Sequence, residues 1–548
     1  MRKRIITAAA TILSAVATGL AVSYYLPFWI EFVSLVPFLF VLFSYADGER
    51  WFRRGIRLGF LYFYAYYLMV WHWFLQMYPL DFTGISPGGA LAVVVVAWLG
   101  LPLLQTVVAM LQVPLFLYMT RSTWLSKEGR LRSSAPAVFG AVYVLFEWIQ
   151  TLTWAGVPWG RLAIGQSYVP EMIGVASLFG SYAVSFVIAV VNGYIAYALV
   201  AYHNGEKRRA AASAAAALLI LTANVTYGSV RIYIKEANAF AAAEVDVDKI
   251  TLNVAVMQGN ISSKDKWKDN SYSNMLATYT ELVEDAVMAN ADLAVFPESA
   301  LPGCINDDKR PIRSDLEEIA ELNEIELAAT GFWKEENGDI YNSVIIVDPH
   351  EGLDDKHIYY KRHLVPFGEF VPYEDLCRML VPPLAELGLF DASISTGDRG
   401  NVLETLNGKI GAMVCFDSIY ESSSLDEVRA GAELLTVSTN DSWFDGSAAV
   451  WQHTAQSILR AVECDRYVCR AGNTGFSCII SPTGEILASI EPETRGIVTH
   501  EVEMRSTRTL YSYIGDSMIA VIALGVVTCV IFVMIGNRKN KKQKERRM

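Results

Sequence analysis

Charge is scarce in this sequence. Only 19% of its 548 residues are Asp, Glu, Lys or Arg, while 53% are hydrophobic, a balance that excludes an ordinary soluble protein. The seven cysteines, at 304, 377, 415, 464, 469, 478 and 529, form no Cys-x-x-Cys pair and have no His-x-x-His partner. That excludes the common zinc motifs, and the spacing announces no disulfide framework. No metal and no cofactor is expected. A basic face is missing as well. The net charge is −12, and residues 537–548 are strongly basic, so the rest of the chain is more acidic still. Nucleic-acid binding is excluded on that ground.

What is abundant is apolar sequence, and it is clustered. Long uncharged runs fill the first 230 residues and recur at 514–536. Eight spans are expected, near 5–22, 24–45, 57–77, 89–119, 135–153, 171–201, 210–228 and 514–536, most of them reaching the ~20 residues that cross a bilayer. Residues 1–22 have the outline of a signal peptide but read as an uncleaved helix, because another span follows at once. The expected organisation is a transmembrane bundle over 1–230 and a linker over 231–250. A globular domain over 251–505, a last span over 514–536 and a basic tail over 537–548 follow.

Lys and Arg alternate in the loops. Arg2, Lys3 and Arg4 precede the first span. Arg50, Arg53, Arg54 and Arg57 follow the second, Arg121, Lys127, Arg130 and Arg132 the fourth, and Lys207, Arg208 and Arg209 the sixth. The loop 78–88 has none, and 154–170 has only Arg161. The positive-inside rule then places both termini in the cytoplasm and the globular domain outside. Glu147, inside the fifth span, reads either as a polar contact on a substrate path or as a hydrogen bond between helices. His72, in Trp-His-Trp, reads as a member of an interfacial aromatic belt.

Between 251 and 505 short apolar stretches alternate with helical patterns. Strands are expected at 252–257, 293–296, 325–330, 343–347, 410–415, 434–438, 467–471, 476–481 and 485–490, and helices at 270–290, 313–323 and 447–464. This alternation favours a layered α/β fold with sheets covered on both faces. Three reactive side chains stand beside strand ends: Glu298 in Val-Phe-Pro-Glu-Ser, Lys361 in Tyr-Tyr-Lys-Arg-His, and Cys415 after Ile-Gly-Ala-Met-Val. A thiol with its ordinary pKa near 8.5 is mostly neutral at pH 7 and needs a base. Glu298 can supply it. Lys361 and the N–H of Phe416 can stabilise an oxyanion. Taken singly, each residue also has a structural reading: a small core thiol, a cap or surface carboxylate, a snorkelling lysine.

Gln258-Gly259-Asn260, Pro297-Glu298-Ser299, the string Lys361-Arg362-His363-Leu364-Val365-Pro366-Phe367-Gly368-Glu369 and Asn440-Asp441-Ser442-Trp443-Phe444 resemble the nitrilase superfamily. More narrowly, they are similar to its membrane branch, the apolipoprotein N-acyltransferases. Glu147-Trp148 and Gly156-Val157-Pro158-Trp159 extend the resemblance into the bundle. It implies an αββα sandwich mounted on eight helices, with Glu298 as general base, Lys361 as oxyanion stabiliser and Cys415 as nucleophile. Glu369 would be a second carboxylate near the lysine, and Phe416 and Asp417 would support the nucleophile. Trp267, Trp443, Trp159 and Glu147 fall where substrate is handled.

The implied reaction moves an acyl chain from a phospholipid to Cys415. It then passes to the α-amine of an S-diacylglyceryl cysteine on an apolipoprotein, in a bacterial inner membrane and in a monomer. Two departures stand out: Cys415-Phe416-Asp417 where many members have Cys-Tyr-Glu, and Gln150 where arginine is common. The alternatives are a membrane-anchored nitrilase-type amidase that lets water resolve the thioester, and a lipoprotein-binding module without turnover. Arg460, Glu463, Arg466 and Arg470 form either a polar network behind Cys415 or a salt-bridged helix face.

Overall fold

Two six-stranded sheets carry the chain from Thr251 to Glu503. The computed structural model describes all residues except 1, 45–49, 81–85, 123, 128–129, 153–155, 246–249, 267–270, 308–309, 374, 376–378, 380–393, 399, 445 and 546–548. The strands of the sheets are β1 (Thr251–Gln258), β2 (Leu293–Val295), β3 (Glu326–Lys334), β4 (Ile340–Asp348), β5 (Gly352–Tyr360) and β6 (Leu403–Thr405). They continue with β7 (Gly408–Val414), β8 (Leu434–Thr439), β9 (Val468–Gly472), β10 (Ser477–Ile480), β11 (Ile486–Ile490) and β12 (Gly496–Glu503). One sheet has the order β12-β1-β2-β3-β4-β5, the other β11-β10-β9-β8-β7-β6. The centre of each sheet is parallel: β1 with β2 and β2 with β3, β7 with β8 and β8 with β9.

Side-chain alternation builds the layers. Val254 and Val256 of β1 face inward with Ile410, Ala412 and Val414 of β7, making a core between the sheets. Ala255 and Met257 face outward onto the helices Ser271–Met288 and Ile312–Asn323. Met413, Leu435 and Val437 face the helices Glu421–Ala430 and Ala448–Cys464 and, beyond them, the membrane bundle. The helix Ala448–Cys464 is started by Ser447, whose Oγ accepts from the N–H of Ala449, and stopped by Asp465 in the left-handed region.

The α/β sandwich matches the expected class. Strands β5, β6 and β12 and the helix Glu421–Ala430 were missed. They are short, or are interrupted by charges, consecutive at Asp354, Asp355 and Lys356 and alternate at Glu501 and Glu503, and so lack an apolar run.

In the bundle, five helices among the described residues are long and apolar enough to cross a membrane. They are Arg4–Val22, Pro87–Met119, Ser181–His203, Lys207–Asn238 and Ser517–Gly536. The other expected spans are helical but fall outside that class. Phe28–Ser44 and Ala135–Ile149 are shorter, and Trp51–Val70 carries Arg53, Arg54 and Arg57 in its first two turns. The expected span 171–201 is not one helix. It breaks after Ile173 and at Gly180, where φ is +73° and an added Cβ would lie 2.6 Å from the Tyr511 ring. The helix beginning at Lys207 runs to Val245, through most of the stretch read as a linker. Gln150 exchanges hydrogen bonds with Tyr67 Oη at 2.7 and 3.1 Å. His72 bonds Tyr25 Oη at 2.8 Å, as suits an aromatic belt.

Candidate active site

Strands β1, β2, β5, β7 and β8 end on one side of the sandwich, and the loops that leave them converge there, as at the carboxyl ends of other parallel sheets. Each loop contributes one part. Cys415 follows β7 directly and opens a 3₁₀ turn, Cys415–Ile419. Its φ is +49°, a conformation that costs a non-glycine residue of order 1 kcal/mol and that must be held from outside. The side chain stays partly accessible while both neighbours are buried.

Glu298 follows β2. Its Oε1 accepts from Asn342 Nδ2 at 2.8 Å and Lys361 Nζ at 3.0 Å, and its Oε2 from the N–H of Asn440 at 3.0 Å. Lys361 follows β5, is 1% exposed, and reaches Glu369 Oε1 at 2.7 Å as well. Glu369 Oε2 accepts from the N–H of Val365 at 2.8 Å. One ammonium therefore lies between two carboxylates that are themselves held by backbone and amide donors.

These neighbours set the protonation states. Burial would lower the Lys361 amine, but Glu298 and Glu369 outweigh it and hold it well above its usual range. Burial raises the Glu369 carboxyl, with Lys361 opposing. Burial and the charge of Glu298 raise the Cys415 thiol far above its usual range, and Lys361 offsets only part of this. Cys415 is thus held as a thiol, and to react as a nucleophile it would need a base beside it. Among the described residues no three His, Cys, Asp or Glu side chains gather as a metal site.

Two expected supporting residues have definite places. Asp417 is fully buried. It accepts from Tyr359 Oη at 2.8 Å, from the N–H groups of Val414, Arg362 and His363 at 3.1, 3.1 and 2.7 Å, and contacts His363 Nδ1 at 3.1 Å. Burial would raise its pKa, but His363 and Lys361 bring it below the usual range. The carboxylate in the unusual Cys-Phe-Asp therefore ties the segment carrying Lys361 to the nucleophile turn. Phe416 packs edge-on against Tyr420, centroids 5.6 Å apart.

The bundle residues divide. Trp159 is 3% exposed, donates to Gln452 Oε1 at 2.8 Å, and packs against Trp71, Trp73, Phe444 and His453. It is the buried wall of an aromatic cluster, not an open lipid entrance. Glu147 Oε1 accepts from the N–H of Leu162 at 3.0 Å, so it helps to fix the loop that carries Trp159. Trp443 closes the turn Asp441–Trp443, between Asn440 and Phe444. Trp267 lies outside the described residues, as do Trp154 and Cys377.

Arg460, Glu463, Arg466 and Arg470, read either as a polar network or as a salt-bridged helix face, divide: Arg460 and Glu463 pair along the helix, and the other two have separate partners. Arg470 donates to Asp441 Oδ2 at 2.7 Å behind the nucleophile turn. Arg460 and Glu463 join Glu421 and Arg161 at the contact between bundle and sandwich. Arg466 binds backbone carbonyls of Ala432 and Thr507.

Sequence reasoning missed Lys266, His453 and the Arg161–Glu421 pair. Lys266, one residue before Trp267, is buried and donates to the Glu298 carbonyl at 3.2 Å; burial pushes its amine down to about 8. Its signal was present, in Asp-Lys-Trp-Lys, but adjacency to a tryptophan does not announce burial. His453 is one of several polar residues on the helix Ala448–Cys464, and no spacing links it to Cys415.

Comparison with known proteins agrees with this geometry. Residues 14–194 match the apolipoprotein N-acyltransferase N-terminal domain family, and residues 253–512 the carbon-nitrogen hydrolase family. The apolipoprotein N-acyltransferase of Gloeobacter violaceus is 30% identical over 519 residues, 92% of this chain and 91% of its own length. That of Geobacter metallireducens is 29% identical over 496 residues, 89% and 87%. A nitrilase-superfamily member from Saccharomyces cerevisiae aligns with 48% of this chain and 93% of its own at 20% identity and a TM-score of 0.35, too loose to bear on the assignment. Both halves and nearly the whole length point the same way: the chain belongs to the apolipoprotein N-acyltransferase family.

Proposed function

We propose that this protein transfers a fatty acyl chain from a membrane phospholipid, through a Cys415 thioester, to the α-amine of the S-diacylglyceryl cysteine of apolipoproteins. The observation that carries this reading is the Lys361 ammonium between Glu298 and Glu369, beside the partly accessible Cys415 thiol, in a sandwich bonded directly to an apolar bundle. The family's activity supplies the two substrates.

Each step follows from the site. Glu298 takes the thiol proton as sulfur attacks the ester carbonyl. Lys361 and the Phe416 N–H stabilise the oxyanion. Collapse expels the lysophospholipid alkoxide, which takes the proton from Glu298. The lipoprotein amine then adds to the thioester, Glu298 accepts its proton, and the thiolate leaves and is reprotonated. Glu369 keeps Lys361 in place and cationic. Trp443, in the turn after β8, contacts the lipid substrates together with Trp267, and Trp159 supports the Trp443 turn through Phe444.

The proposed setting is a bacterial inner membrane crossed eight times, with 1–230 as the bundle, 231–250 joining it to the outer catalytic domain 251–505, 514–536 as the last span, and both termini cytoplasmic. The alternating Lys and Arg in the loops support this orientation. The protein acts as a monomer. The test is incubation with phospholipid and a diacylglyceryl peptide. A Cys415 thioester by intact mass, chased by N-acylated peptide, is expected. Free fatty acid without N-acylated peptide overturns the transferase in favour of an amidase-like hydrolase.

A further inference from the structure

A second pair of charged groups stands behind the nucleophile, and nothing in the reaction above uses it. His453 is 1% exposed, inside the helix Ala448–Cys464. Its Nδ1 lies 2.9 Å from Asp441 Oδ1, and its Nε2 lies 3.1 Å from the carbonyl oxygen of Cys415 and 3.1 Å from Ser418 Oγ. Ser418 Oγ donates to the same carbonyl at 2.8 Å. Asp441 is held in turn by Thr439 Oγ1 at 2.9 Å and Arg470 at 2.7 Å. Gly475 backs it so closely that an added Cβ would stand 2.1 Å from Oδ2. The imidazole is walled by Trp159 and Phe444, with centroids at 5.5 and 5.9 Å. Nothing in this surround leaves the ring free to turn.

The proton count is constrained. With the Ser418 hydroxyl donating to the Cys415 carbonyl, Nε2 faces two oxygens that offer lone pairs and is satisfied by a proton of its own. Burial and Arg470 push the ring toward the neutral form. A neutral ring keeps the Nε2 proton by letting Nδ1 accept from Arg470 Nη2, 3.1 Å away. A charged ring donates to Asp441 instead. In both, Nε2–H points at the Cys415 carbonyl.

That carbonyl belongs to the peptide group whose other end is the Phe416 N–H. A trans peptide is planar, so its C=O and N–H point in opposite directions. Fixing one fixes the other. The same peptide follows a residue at φ +49°, a conformation the chain does not hold unaided. Hydrogen bonds to the carbonyl also polarise the unit and strengthen its N–H as a donor.

We infer that His453 is a positioning residue for acyl transfer: with Ser418 it clamps the Cys415 carbonyl so that the Phe416 N–H is aimed at the oxyanion. Through Trp159, the bundle braces this clamp. The inference rests on the reading of Cys415 as nucleophile and adds what orients its oxyanion donor. Asp441 and Arg470 act one step further back, by holding the imidazole.

The discriminating experiment compares two reactions of one thiol in the full-length protein. Acylation by phospholipid in mixed micelles builds an oxyanion. Alkylation by iodoacetamide does not. His453→Leu is expected to slow Cys415 thioester formation about 10²-fold, as loss of an oxyanion donor does. The loss falls in kcat, with KM for the phospholipid unchanged and the alkylation rate unchanged. His453→Gln, which keeps a side-chain N–H, restores most of the rate. Acylation by His453→Leu at the unsubstituted rate overturns the inference. So does a parallel loss of acylation and alkylation, which would mean that the histidine serves the thiol or the fold. Should His453→Leu fail to fold, Ser418→Ala removes the other bond to the carbonyl. A selective loss of acylation there supports the clamp, and an equal loss of both reactions overturns it. Alkylation without any thioester in the unsubstituted protein would overturn the nucleophile reading itself.

Discussion

Two clusters of buried charge bracket the turn Cys415–Ile419, and they are built differently. At its start a lysine lies between Glu298 and Glu369. At its end Arg161 donates to the Ile419 carbonyl at 3.0 Å and pairs with Glu421, which Arg460 and Ser181 Oγ also contact, at 3.1 and 2.7 Å. Glu463 extends this cluster to the N–H of Ser181 at 2.6 Å, at the start of a bundle helix. The arginine cluster joins parts of the chain hundreds of residues apart, and its cations are fixed, although burial raises the Glu463 carboxyl to about 7. Its guanidinium groups never lose their protons, and their forks hold carboxylates in one geometry. The lysine cluster is smaller, carries a compact charge on a flexible stem, and sits beside a group that must lose and regain a proton. Buried charge joins distant segments where guanidinium forks fix its geometry, and stays adaptable where one compact ammonium meets two carboxylates.

Substitutions should separate the two roles. Lys361→Met is expected to cut Cys415 thioester formation by about 10³-fold or more, while the protein still melts as a folded protein. A large loss of melting temperature instead would put the lysine with the structural cluster. Arg161→Ala should do the reverse. It strands Glu421 in a buried site, a change that costs about 3–5 kcal/mol, and a thermal melt in detergent should show it. Replacing Arg161 and Glu421 together by apolar residues should recover part of that loss. Unchanged melting in the single variant would mean that the bundle and sandwich are joined by other contacts. Asp417→Asn should fall between the two, because an amide keeps one acceptor where the carboxylate met four donors. A cost of about 2 kcal/mol is expected, together with slower acylation as the Lys361 segment loosens. A change in acylation alone would place Asp417 in the reaction.

The smallest effect expected is in pH dependence, and its sign differs between the clusters. Burial would raise Glu421, but Arg161 and Arg460 bring it to about 2. Its stabilisation is complete above the ordinary value of ~4.3 and is lost as pH falls through about 2. Lys361 is raised, so its stabilisation is complete below the ordinary ~10.4 and is lost as pH climbs through the raised value. Glu421→Gln should therefore flatten the acid limb of a melting-temperature profile and leave the alkaline limb alone. Lys361→Met should do the opposite.

The sandwich was legible because its central strands are apolar throughout. Residues such as Leu252, Val254, Ile410 and Val437 are covered on both faces, and such runs stand out in any sequence. Edge strands with alternating charge did not stand out, nor did the break at Gly180, which only the Tyr511 ring makes necessary. Cys415, Glu298 and Lys361 were legible as chemistry, and the string from Lys361 to Glu369 tied them to a family. Lys266, His453 and Arg161 were not. Their meaning is their burial against partners far along the chain: 32 residues for Lys266 and Glu298, 38 for His453 and Cys415, 260 for Arg161 and Glu421.

The sequence by itself determined which groups can react and which segments avoid water, because reactivity and hydropathy belong to side chains. Only the tertiary structure decided that its surroundings raise the Cys415 thiol further, that Asp417 ties the Lys361 segment to the turn Cys415–Ile419, and that Trp159 is a wall. Those properties come from desolvation and from hydrogen bonds between distant strand ends, which depend on distance in space and not on spacing along the chain.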